Sequence, residues 1–158
     1  MEFLKIFIFF LIFNISMAIA AADIVLPSPY DKCDKKMDVV ILSPKEKKEL
    51  AQIMDENISQ SIVHIADLNC NGRILKGFIL SDKIRTHFQT LLVLFEKNKL
   101  TDISVLKFSE PVRYKAPKAW LAQFRHRNND HVDALSGATM TRESTMSIVK
   151  QAIYLEKK

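Results

Sequence analysis

The chain has 158 residues and a formal net charge of +5, a length that suits one domain with its own core. The positive charge is scattered: around Lys45, Lys47 and Lys48 it alternates with Glu46 and Glu49, as on a solvated helix face. No basic and aromatic recognition pattern is present, which argues against nucleic acid and for contact with acidic partners or an anionic membrane surface.

Residues 1–20 read as a secretory signal. Lys5 precedes an apolar run from Ile6 to Phe13, and Ala18-Ile19-Ala20 offers small residues where a signal peptidase reads. Cleavage is expected after Ala20, with Ala22 as a second position. The competing reading is an uncleaved anchor, because apolar character runs from Phe3 to Ala22, long enough to span a bilayer. No Cys follows closely, so a lipid-anchored protein is not expected. The chain then divides into a signal peptide at residues 1–20, an N-terminal extension at 21–43 and a domain at 44–158. The expected setting is the periplasm or another exported location, with membrane association if the signal is retained.

Cys33 and Cys70 both survive cleavage into an oxidising compartment, where a disulfide is the natural expectation. Their separation excludes a C-x-x-C redox or zinc pair. His64, His87, His126 and His131 show no ligand spacing, so no metal site is expected.

Along the domain, Ser43-Pro44-Lys45-Glu46 combines a cap, a first-turn proline and a carboxylate three residues on. Leu50, Ile53, Met54 and Ile58 follow at helical spacing, predicting a helix over 44–58. Ile62 to Ile65, Arg73 to Leu80, His87 to Phe95 and Leu100 to Phe108 read as strands, with turns at Asn71-Gly72 and Lys97-Asn98-Lys99. Pro117 opens a short helix through Phe124. A last helix is predicted from Met140 or Thr141, with Ile148, Val149, Ala152 and Leu155 as its apolar stripe. The fold class is α+β, an antiparallel meander flanked by helices.

The chemistry concentrates at Asp133-Ala134-Leu135-Ser136-Gly137-Ala138-Thr139-Met140-Thr141. Three hydroxyls (Ser136, Thr139, Thr141) and a flexible glycine precede a predicted helix N-terminus, where free N–H groups and the helix dipole favour a phosphate. Arg85 could bind phosphate or ribityl oxygens through its guanidinium fork, or remain a solvated charge. Glu110, before Pro111, could bond a ligand's polar edge or simply close a turn. Neither Ser136 nor Thr139 has an activating base at a recognisable spacing, so a hydrolase is not expected and no catalytic residue is assigned.

Ser136-Gly137-Ala138-Thr139 resembles the S-G-A-T flavinylation motif of the FMN-binding domain family, which includes the flavin subunits of Rnf-type complexes and sodium-pumping quinone reductases. Arg85 to Thr90, Phe108 to Pro111 with Tyr114, and Trp120 to Phe124 are similar to the family's order of landmarks, over roughly residues 72–155. The resemblance implies that 44–158 is an FMN-binding domain with FMN held on Thr139 by a phosphoester. Ser136, Gly137, Ala138, Asp133 and Thr141 would complete the motif, and Arg85, Glu110, Trp120, Tyr114 and Leu135 would be candidates for contact with the cofactor. It further implies an electron-transfer carrier or subunit, rather than a stand-alone enzyme. A flavin transferase using FAD and magnesium would mature it, and a redox partner protein or membrane electron-transfer complex would be its partner. The chain departs from larger members in its few glycines and in the short polar stretch between Phe124 and Asp133. The reading from another class is a non-catalytic exported binding or assembly domain without flavin, in which Ser136 to Thr141 is only a helix cap.

Overall fold

Ser43 and Glu46 cap the first helix reciprocally, as their spacing predicts. The Ser43 N–H donates to Glu46 Oε2 at 2.5 Å, and the Glu46 N–H donates to Ser43 Oγ at 3.3 Å. This helix, α1, covers Pro44–Met54. It buries Leu50 completely but leaves Ile53 exposed, so the expected stripe is narrower than its spacing suggests. The computed structural model of the chain describes residues 24–54, 60–126 and 132–158. The expected signal segment, the helical continuation through Ile58 and the polar stretch from Arg127 to His131 lie outside them.

Among the described residues, five strands form one antiparallel sheet in chain order: β1 (Asp34–Ile41), β2 (Ile62–Cys70), β3 (Arg73–Ile84), β4 (His87–Glu96) and β5 (Lys99–Phe108). Asn71 and Gly72 both take positive φ in the β2–β3 turn, as do Lys97 and Asn98 in the β4–β5 turn, the geometry that tight hairpins require. β1 lies within the segment read as an N-terminal extension and pairs with β2 from Asp34↔Asn69 to Ile41↔Ile62. It is an edge strand, exposed along most of its length, and its Asp and Lys residues blunt that edge.

The sheet carries a buried apolar cluster on each face. One carries Phe78, Leu80, Leu91, Val93 and Phe95 against Ile148, Val149, Ala152 and Leu155 of the last helix, α3 (Thr139–Glu156). α2 (Lys118–Leu121), which runs into a 3-10 turn at Ala122–Arg125, adds Trp120, Leu121 and Phe124 to the same core. The opposite face carries Ala66, Leu68, Leu75, Ile79, Leu92 and Leu94 beneath Leu26, Ile24 and Tyr30. This double burial explains the unbroken apolar run at residues 91–95. Gly77 lies on the second face, where an added Cβ would stand 2.9 Å from Leu92 Cδ1.

Two ties hold the N-terminal segment on that second face. The Cys33–Cys70 disulfide, with Cα atoms 4.5 Å apart, fixes it to the end of β2. Tyr30 donates its hydroxyl to Asp102 Oδ2 at 2.7 Å, and Asp102 also pairs with Arg125. Burial, then the Asp102 hydrogen bond, push the Tyr30 phenol up to about 12 from 10.0. The raised value lies in the folded state, so the associated stability is complete below pH 10 and lost as pH rises from 10 to about 12. An alkaline absorbance titration of Asp102→Asn should bring the Tyr30 step down without reaching 10.0, because burial remains. A drop all the way to 10.0 would mean that, without the carboxylate, burial no longer outweighs the lowering by Arg125 and Arg73.

Candidate functional site

Arg85 occupies a strained backbone position. It forms, with Thr86, the two-residue turn between β3 and β4, at φ +52°, a region that non-glycine residues seldom adopt. Neither residue is a glycine or asparagine, so the turn carries no sequence signal. Its consequence is spatial: the Arg85 guanidinium reaches the start of α3, where Nε donates to Met140 Sδ at 3.4 Å.

Between them lies a cavity of about 170 Å³, lined by Ile84, Arg85, Glu110, Tyr114 and residues 137–141. The β3–β4 turn, the chain after β5 and the motif before α3 thus converge at one end of the sheet. Arg85, Glu110, Tyr114, Gly137, Ala138, Thr139 and Thr141 come together there. Ile84 and Met140 also line it, although neither carries a chemical signature in the sequence.

The motif folds as a turn that delivers an open helix end. The Ala138 N–H donates to the Leu135 carbonyl at 3.0 Å, and Gly137 takes φ +68° inside that turn, a conformation that costs glycine little. α3 begins at Thr139, one or two residues earlier than expected, because Ala138 is the cap residue. Among the described residues no side chain caps this terminus, and its first turn contains no acidic residue. The helix dipole and the amides of the first turn are therefore available to an anion. Thr139 is exposed at this end, whereas Thr141 is 1% exposed.

The rest of the expected set supports the cavity from outside. Ser136 is exposed in the turn but does not line it. Asp133 lies on the preceding loop, where its N–H donates to Gln123 Oε1 at 3.1 Å and its carbonyl accepts the Trp120 indole N–H at 2.9 Å. Trp120 is therefore not a wall of the cavity. It is buried, packs edge-on against Phe124 at 5.3 Å and braces the motif loop. Leu135 likewise packs against the core.

Two groups that sequence reasoning missed hold the site in place. His87 Nδ1 lies 3.2 Å from Glu110 Oε1 and 3.0 Å from Thr86 Oγ1, joining the β3–β4 turn to the chain after β5. Gln89 is buried in β4, and its Nε2 donates to Ser144 Oγ at 2.8 Å and to Thr145 Oγ1 at 3.2 Å. Thr145 in turn donates to the Thr141 carbonyl at 2.7 Å. This buried polar chain sets the depth and rotation of α3 on the sheet, hence the position of Thr139. The signal for it was a lone glutamine at an inward position of an apolar strand.

The family model for the FMN-binding domain matches residues 88–154, from the start of β4 almost to the end of α3. The chain carries an FMN-binding domain. The matched stretch contains the whole motif, together with Glu110, Tyr114 and Gln89, and Arg85 stands three residues before it. Neither a curated protein nor a solved structure matches the chain. The FMN-binding domain thus holds a helix terminus suited to phosphate, a guanidinium beside it and an exposed hydroxyl at the same end.

Proposed function

We propose that the chain is an exported electron-transfer flavoprotein that carries FMN through a phosphoester on Thr139. The observation that carries this reading is the exposed Thr139 hydroxyl at an uncapped helix N-terminus, facing a cavity with Arg85, inside an FMN-binding domain. The first-turn amides and Arg85 would hold the phosphate. Glu110 and Tyr114 would contact the ribityl chain or ring edge. The bound flavin supplies the electron chemistry, and the protein fixes its position and surroundings.

A covalent bond suits so small a cavity. At about 170 Å³ it falls below the roughly 300–1,000 Å³ of pockets that enclose a drug-sized ligand, so non-covalent contacts alone would retain FMN poorly outside the cell interior. The bond would form by attack of Thr139 Oγ on the FMN phosphorus of FAD. The bond to the AMP oxygen breaks, AMP leaves, and the hydroxyl proton passes to a base. No described side chain is hydrogen-bonded to Thr139 as such a base, so a flavin transferase with magnesium supplies it. Asp133, on the exposed loop before the motif, is a recognition element for that enzyme. Among the described residues no side chain caps α3, which favours an incoming anion over a turn that serves only as a helix cap.

The test is production in a cytoplasm lacking the transferase. The expected product is folded and colourless, and addition of transferase, FAD and magnesium should turn it yellow with the mass of FMN attached. Loading from FMN alone would point to self-catalysis. A folded protein that never loads would overturn the assignment.

A further inference from the structure

The second sheet face is only half covered by the N-terminal segment. At the end nearer Arg85, cross-strand pairs place Val39, His64 and Ile79 in one row, and Ser81, Thr90 and Lys107 in the next. Ile41 faces Ile62, and Lys83 faces Phe88. A groove of about 590 Å³ crosses this area, with Ile62, Ile79 and Leu106 among its lining. Around it Ile41 is 73% exposed, Phe88 52%, Ile62 49% and Val39 45%. Exposed apolar side chains thus gather on one half of one face, with the hydrogen-bonded Ser81–Thr90 pair between Ile79 and Phe88, and exposed apolar groups gathered in this way mark an interaction site.

Its charge has one sign. Lys83 and Lys107 are exposed on this half, and no described Asp or Glu shares these rows. Apolar side chains bordered by lysine are what a membrane interface takes up: the apolar groups enter the acyl boundary and the cations meet anionic headgroups. Ile24 also lines the groove, and the sequence leading into it is the apolar stretch from Phe3 to Ala22.

We infer that this half of the second face docks on an anionic bilayer surface. The flavin cavity is built on the other face, against α3, and stays open to a partner from solution. The inference rests on the export reading of residues 1–20 and goes beyond the assignment of the cofactor.

Phe88→Trp tests it in the protein isolated from the exported fraction of its host. The variant is mixed with phosphatidylglycerol–phosphatidylethanolamine vesicles whose acyl chains are brominated. The new indole should be quenched strongly, and the wild type weakly, because its single Trp120 is buried in the helix layer. Lys83→Gln with Lys107→Gln should weaken docking about 25-fold, at roughly fivefold per lysine beside an anionic surface. An indole at position 88 that brominated and plain lipids leave equally bright would overturn the inference. So would burial of that indole in a lipid-free dimer, which would make the face a contact between copies. Covalent flavin is read by mass on the same samples, so docking can fail with loading intact, and the reverse.

Discussion

Thr139→Ala should abolish covalent flavin while leaving the fold intact. The side chain is exposed and stands at the first position of α3, and alanine is the best helix former, so the expected change in stability is within about 0.5 kcal/mol. The phosphoester has no oxygen to form on. Intact mass after incubation with transferase, FAD and magnesium should show the bare chain, with a melting temperature matching the wild type. Thr139→Ser should keep part of the loading, since the hydroxyl remains but its rotamer is less restricted. Flavin retained in Thr139→Ala would transfer the acceptor role to Ser136, because Thr141 is buried and Ser136 is exposed in the turn.

The motif was legible in the sequence because its residues are contiguous and the helix after it has a clear apolar stripe. The cavity was not. Arg85, Glu110 and Thr139 are far apart in the chain, and their meeting depends on the Arg85-Thr86 turn, which has none of the residues that announce a hairpin. Asn71-Gly72 and Lys97-Asn98 have such residues, and both turns could be read. β1 was missed for a different reason. An edge strand exposed on both sides has no burial to enforce alternation, so Asp34 to Ile41 shows no period of two. Trp120 was offered as a flavin contact because an aromatic near a cofactor motif invites that reading. What the indole required was a carbonyl acceptor, and Asp133 supplies it. The motif loop is consequently held by residues that never touch the cavity.

The largest expected loss of stability follows from breaking the Cys33–Cys70 bridge, which joins residues 37 apart. Opening a loop of that size releases chain entropy in the unfolded state worth about 4 kcal/mol. For a domain of this length that corresponds to a fall of about 10–15 °C in melting temperature. Cys33→Ser with Cys70→Ser should show this fall under non-reducing conditions, and the wild type should show it when reduced. The native state compounds the loss, because Leu26 and Tyr30 cover the second face from the segment that the bridge secures. Flavin loading well below the transition should persist, since the cavity is lined by the end of β3, the β3–β4 turn, the chain after β5 and the start of α3, and no part of that lining comes from the bridged segment. A change of less than about 1 kcal/mol would mean that Leu26 packing and the Tyr30–Asp102 bond already hold the segment without the bridge. Loss of loading in step with stability would instead make the second face a support for the flavin site, coupled to it through the strands that the two faces share.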